Sequence, residues 1–253
     1  MEEQSTQSLQ HRAEIITTRD GSHTLWLPAL QETYHSTHRA VRESKHVFIE
    51  HGLNHWLQQQ PGTQLNILEV GLGTGLNALL SWMASLSMNV TINYVALEPF
   101  PISREQAQCL NYVVQIAQAE DSELDEDVLQ ATFEKIHQLP ADATTQLGDY
   151  FSFQKCQLTL QEFTALPQHF DMVYFDAFAP SRQPDIWEPS VLQKVYEMMK
   201  SPGILVTYCA QGQFRRNLKA LGMKVENLPG PPGKKEMTRA WRIGKLLPST
   251  SSA

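Results

Sequence analysis

The sequence predicts an α/β protein, a mostly parallel sheet with helices on both faces, and three observations predict it. From Leu65 onward, short apolar runs alternate with longer amphipathic ones, the rhythm of strand and helix. The run Ile67-Leu-Glu69-Val-Gly71-Leu-Gly73-Thr-Gly75 reads as a buried strand turning into a helix at 76–86. The run Asp171-Met-Val-Tyr-Phe-Asp176 brings a second apolar strand up to an acid, and Pro180 and Pro184 enforce a loop after it.

At the front, Ile15-Ile16-Thr17-Thr18, a turn at Asp20-Gly21 and Thr24-Leu25-Trp26-Leu27 predict a hairpin over 14–28. Val47, Phe48, Ile49, Leu53, Trp56 and Leu57 predict a helix over 46–59, stopped by Pro61-Gly62. Strands are expected at 65–70, 91–97, 151–158, 172–175 and 204–208, with helices at 76–86, 103–118, 190–199 and 213–221. Ser103 and Gln106, just after Pro101, form a capping box for the second of these helices. A further helix over 121–139 is longer than a crossover needs. Two last strands, near 223–228 and 238–243, flank the loop Pro229-Gly-Pro-Pro-Gly-Lys-Lys235. The chain therefore divides into an N-terminal hairpin and helix appendage (1–62), a main domain (63–246) and a tail expected to be disordered (247–253).

Composition narrows the function classes. The 253 residues suffice for one large domain or a domain with an appendage, and 42% hydrophobic content is ordinary for a globular protein. The first ten residues are polar, without signal-peptide architecture, and no run approaches the roughly 18 apolar residues of a membrane span. A cytoplasmic protein with no membrane partner is expected. Cys109, Cys156 and Cys209 are scattered without a CxxC pair, so they are expected to be buried thiols, and no metal site is suggested. The net charge of −7 argues against a broad basic surface for nucleic acid, though not against a local patch. Much of the acid lies in 120–134, which reads as a solvated helix face.

Three constellations carry chemistry. The glycines at 71, 73 and 75 let another molecule approach the backbone. The dinucleotide pattern G-x-G-x-x-G requires glycine at 76, where this chain has Leu76. Glu69 would repel a phosphate and attract a cationic amino group, and Glu98, ending the next strand, can accept from both hydroxyls of a ribose. Together they point to S-adenosylmethionine, with an NAD site or a purely structural turn as the alternatives. Asp176 lies between Phe175 and Phe178 at the carboxyl end of a strand, where ligands of open α/β sheets sit. There it suits an amine acceptor, orienting it or taking its proton while the aromatic faces stack on a base; the alternative is a turn cap. Arg215 and Arg216 at a helix start, with Lys234, Lys235 and Arg239 around the proline-stiffened loop, could meet phosphates or simply be solvated.

These residues, with further blocks, resemble the methyltransferase half of the bacterial bifunctional MnmC enzymes and their stand-alone MnmD-like relatives. The blocks are Asp20-Gly-Ser22, Glu32-Thr-Tyr-His-Ser36, Glu43-Ser-Lys-His-Val-Phe48, the glycine turn through Asn77, Phe175-Asp-Ala-Phe-Ala-Pro180 with Gln183-Pro-Asp-Ile-Trp187, Val206-Thr-Tyr-Cys-Ala210, and Leu228 through Met237. The resemblance implies a class I, Rossmann-like methyltransferase fold with a seven-stranded sheet. It implies methylation of the exocyclic amine of 5-aminomethyl-(2-thio)uridine at the tRNA wobble position, with tRNA as the partner. By the same resemblance, Glu69, Gly71, Gly73 and Gly75 hold the methionine end of S-adenosylmethionine, with Asn77 counted among the cofactor residues. Glu98 holds the ribose and Asp176 the acceptor amine, and Phe175, Phe178, Arg215, Lys234 and Lys235 are the candidate substrate contacts. The bifunctional relatives also carry a flavin-dependent oxidoreductase domain; nothing of that length follows Gly244, so neither that domain nor flavin is expected. Family members carry a Gly-Asp pair after the third strand for the adenine amino group. Here Leu158-Thr159 stands in its place with Glu162 following, while Gly148-Asp149 precedes the strand. An aminopropyl transferase on the same sheet, or a non-catalytic binding protein that keeps the fold, is the competing expectation.

Overall fold

The computed structural model describes residues 13–19, 21–35, 40–119 and 124–244. The expected turn residue Asp20, Ser36, the acidic positions 120–123 and the tail at 247–253 lie outside the described residues.

A small antiparallel sheet comes first: β1 (Glu14–Thr17), β2 (His23–Leu27) and the two-residue β3 (Glu32–Thr33). One helical run follows, α1, made of α-helical Ala40–Ser44, a π-helical stretch Lys45–Asn54 and α-helical His55–Gln59. The main domain then alternates as expected: β4 (Gln64–Val70), α2 (Leu76–Met88), β5 (Thr91–Leu97), α3 (Arg104–Gln108), α4 (Tyr112–Ala119), α5 (Glu126–Gln138), β6 (Thr144–Gln146), β7 (Phe151–Cys156) and β8 (Phe170–Phe175). It closes with α6 (Pro189–Met198), β9 (Met199–Thr207), α7 (Gly212–Ala220), β10 (Lys224–Pro229) and β11 (Glu236–Arg242).

The large sheet has eight strands in the order β10-β11-β9-β8-β4-β5-β7-β6. Its centre, β9-β8-β4-β5-β7, is parallel; β10, β11 and β6 run antiparallel to their neighbours. The seven expected strands are all present, and β6 is an added edge strand of three residues, too short for an alternation to register in sequence. The chain reverses direction across the sheet between β4 and β8, where Val70 pairs with both Leu97 and Phe175. That switch point opens the crevice in which α/β sheets bind ligands.

Strand alternation sorts side chains to two cores. Ile67, Met172 and Tyr174 face a core covered by α1, α2, α4 and α5, whereas Leu68, Val70, Val173 and Phe175 face one covered by α6 and α7. On the first face α1 comes very close: a Cβ on Gly52 would lie 3.1 Å from Val206 and 3.4 Å from Tyr174. The helix α2 is buried almost all round, which suits its apolar sequence.

Three local expectations are corrected. The helix expected over 103–118 is two, α3 and α4, although the Ser103–Gln106 capping box starts it as read. It breaks before Asn111, whose side chain accepts from His23 N at 2.7 Å and donates to Gly21 O at 2.8 Å, tying this segment to the β1–β2 turn. The helix expected at 46 starts at Ala40, which with Val41 is buried in the same core. Cys156 and Cys209 are buried, but Cys109, at the end of α3, is exposed.

Candidate active site

The β4–α2 turn is shaped by its glycines. Gly71 has φ +90°, and a Cβ there would lie 2.8 Å from the carbonyl oxygen of Asp176, so the ends of β4 and β8 touch only because the side chain is missing. Gly71 and Leu72 both donate to Leu97 O, at 3.0 and 3.1 Å, which fastens the turn to β5. A Cβ on Gly73 would meet the Tyr34 ring at 2.8 Å. Gly75 backs onto His137 and does not line the cavity.

The cavity measures about 780 Å³ and opens over this turn and the ends of β5, β7, β8 and β9. Glu98 lies on its wall, 7% exposed, with Oε2 accepting from Gly73 N at 2.9 Å and Oε1 from Phe100 N at 3.1 Å. Burial lifts its pKa to about 7 against the pull of those two amides. Tyr34 stands opposite, its ring 5.2 Å from Phe178, its phenol pushed upward by burial and by the charge of Glu98. His35 Nε2 meets Thr74 Oγ1 at 2.7 Å, Tyr112 OH donates to the same hydroxyl, and His137 donates to Thr74 O. Burial lowers both histidines to about 4, so at neutral pH they are uncharged struts for the turn.

Beneath the turn, Asn77 Nδ2 donates to Glu69 Oε1 at 2.9 Å and to Asp176 Oδ2 at 2.8 Å. One amide thus joins the carboxylates of two neighbouring strands. Glu69 is fully buried, and burial pushes its pKa well up. Its Oε2 and Asn77 Oδ1 are buried without a hydrogen-bond partner. Asp176 opens onto the cavity, its pKa raised to about 7 chiefly by burial, and by Glu43, against the hydrogen bond from Asn77. Glu43, from α1, reaches the same end of the cavity with Tyr208 and Lys234.

The sequence-predicted residues do not all converge. Gly71, Gly73, Glu98, Asp176, Phe178 and Lys234 line the cavity. Glu69 does not: it shares the inward face of β4 with Ile67, and Asn77, which also lies off the cavity wall, links it to Asp176. Phe175 points the other way, fully buried on Trp187 and Phe214, because neighbours on a strand face opposite sides. Arg215 is not offered to phosphates; it is paired with Glu236 at 2.7 Å and donates to Thr238 Oγ1 and Met237 O. Lys235 is exposed and outside the cavity, and Lys234 turns inward. Leu158 and Thr159 line the wall after β7, while Glu162 is engaged by Thr159 N and Oγ1 rather than turned to a ligand. Gly148-Asp149 lies between β6 and β7, at the amino end of β7, whereas the cavity opens at the carboxyl end of that strand. Tyr34, His35, Glu43 and Tyr208 had no assigned role, although the blocks that carry them were visible.

The fold and the site together define a Rossmann-like methyltransferase: a glycine turn at the switch point, and an acid on the second strand available to a nucleoside. The profile of the S-adenosyl-L-methionine-dependent methyltransferase family matches residues 116–243, and the chain belongs to that family. The chain is 31% identical, over an alignment of 244 positions, to the tRNA 5-methylaminomethyl-2-thiouridine biosynthesis bifunctional protein MnmC of Cupriavidus necator, covering 87% of this chain and 34% of that protein. The protein of the same name from Idiomarina loihiensis is 28% identical over 212 residues, 81% of this chain and 35% of the relative. The chain thus spans about a third of the length of these relatives. In fold it matches the crystal structure of MNMC2 from Aquifex aeolicus, with a TM-score of 0.67 at 23% identity over 90% of this chain and 70% of that one.

The residues present fit S-adenosylmethionine. The volume lies in the range of small-molecule sites. Glu98 offers acceptors to a ribose, the turn presents backbone without side chains, and Asp176 lines the same space.

Proposed function

We propose that this chain methylates the primary amine of a 5-aminomethyl-(2-thio)uridine at the wobble position of tRNA. The observation that carries the reading is that Asp176, at the end of β8, and Glu98 with the glycine turn, at the ends of β4 and β5, open on one cavity. The names of the relatives supply the substrate class. In this reading Glu98 and the backbone at 71–73 hold the cofactor, with Glu69 and Asn77 supporting them from below. Asp176 receives the amine, and Phe178 supplies an aromatic wall for the base.

S-adenosylmethionine supplies a methyl group activated on a sulfonium. The chain's own part is alignment and proton handling. An alkylammonium has no lone pair, so a proton must leave before the nitrogen can attack. Asp176 accepts hydrogen bonds from the amine and stabilises the cation formed, and Asn77 holds its carboxylate in place. Alignment of donor and acceptor accounts for roughly 7–11 kcal/mol in well-oriented reactions. The displacement is redox-neutral, so this step needs no flavin. A cytoplasmic location follows from a tRNA substrate.

The test is incubation with methyl-labelled S-adenosylmethionine and tRNA from a strain lacking this modification. Label is expected in 5-methylaminomethyl-(2-thio)uridine after nucleoside digestion. Cofactor binding without label in such tRNA would defeat the reading.

A further inference from the structure

The acceptor end of the cavity holds a cation of its own. Lys234 Nζ donates to Glu43 Oε1 at 2.5 Å and lies 3.7 Å from the centroid of the Tyr208 ring. The Glu43 side chain is 7% exposed, and an unpaired carboxylate there would be costly. The Lys234 side chain is 32% exposed, a flexible arm with a route to water. Tyr208 is fixed, its hydroxyl donating to Ala177 O at 2.8 Å, so the face it shows the ammonium does not turn away. The loop that carries Lys234 is anchored at its root, where His46 Nε2 meets Pro229 O at 3.0 Å. All three side chains line the cavity with Asp176, and Glu43 and Lys234 lie near enough to act in opposite senses on its charge.

We propose that Glu43 and the face of Tyr208 form the seat for the acceptor's primary alkylammonium, and that Lys234 fills this seat until the acceptor arrives. This rests on the reading that the acceptor is an aminomethyl group. The incoming cation replaces another cation, so Glu43 is never left unpaired. The ring face favours either ammonium in the same way. Seated, the ammonium loses a proton to Asp176 or to water. The nitrogen lone pair then forms the N–C bond while the electrons of the breaking C–S bond stay on sulfur. The product is a secondary ammonium, again a cation, and Lys234 replaces it as the product leaves. Asp176 thus governs turnover, whereas Glu43 governs affinity for the amine.

The seat can be read without tRNA. The full chain, saturated with S-adenosylhomocysteine, is titrated calorimetrically with propylamine, a bare primary alkylammonium at neutral pH. Lys234→Met is expected to bind it at least tenfold more tightly than the parent, because the lysine ammonium no longer competes for the seat. Adding Glu43→Gln to that variant is expected to abolish the gain. Tyr208→Leu, which removes the ring face, is expected to reduce it. Unchanged affinity for S-adenosylhomocysteine certifies the fold of each variant, and Lys234→Gln repeats the comparison with a polar replacement. Equal propylamine binding by parent, Lys234→Met and Glu43→Gln proteins would overturn the proposal, as would no binding by a Lys234→Met protein that still holds S-adenosylhomocysteine. A positive seat with no methylation of aminomethyl-bearing tRNA would sink the substrate reading alone.

Discussion

The two halves of the cavity are built differently. The half around the glycine turn is built on residues 69–98, a single strand–helix–strand unit tied within itself by Gly73 to Glu98, Gly71 to Leu97 and Asn77 to Glu69, and braced from outside by His35, Tyr112 and His137 on Thr74. The half around Asp176 is assembled from distant parts. Glu43 and Lys234 are separated by 191 positions, His46 and Pro229 by 183, and Asp176 lies between them in sequence. In the proposed reading the first half holds the nucleoside of the cofactor, a task any sheet of this class can perform. The second is made when the front helix α1 and the last hairpin close over the strand ends, and there the chain sets what it acts upon.

That contrast can be broken from either side. Asp176→Ala is expected to lower turnover about a hundredfold or more, the scale of a lost proton acceptor, with cofactor affinity within a few-fold of the parent. Single-turnover kinetics beside calorimetry checks this, and a rate within a few-fold of the parent rejects the role. Glu98→Gln is expected to do the reverse, weakening S-adenosylmethionine by about tenfold, the scale of a hydrogen bond to a charged group, while saturated turnover changes little. A smaller effect is expected from pH alone. Asp176 and Glu98 are both raised to about 7 from ordinary values near 4. Turnover, which needs the ionised Asp176, is therefore expected to rise by about tenfold from pH 6 to pH 8. Stability runs the other way. The folded protein keeps two protons that the unfolded chain gives up above about pH 4, so their stabilising contribution falls as pH rises through about 7. A melting temperature of the ligand-free protein that is flat across this window would show that these acids are not held as described.

How much of this was legible follows the same division. The parallel core could be read because β4 and β8 are short and mostly apolar, and the glycine turn because its requirement is local. Its position at the carboxyl end of an apolar run gave Asp176 its place, and period-two alternation, applied to its neighbour, would have placed Phe175 in the opposite core. Arg215 could not be told from a phosphate ligand in sequence, since its partner Glu236 is brought beside it only by the β9–β11 pairing. Tyr34, Glu43 and Tyr208 carry no periodic signal of function. They become site residues through packing, and only the resemblance in their surrounding blocks marked those segments.

The sheet's outer strands have one more consequence, for behaviour at high concentration. A bare strand edge is a template on which another chain can add. Here one end is finished by β6, of three residues, and the other by β10, which ends in Pro229 and carries Lys224 and Glu226, paired at 3.2 Å. Short length at one border, charge and proline at the other, discourage strand-by-strand polymerisation. The molecule can keep its ligand-binding rim open without leaving its flanks adhesive.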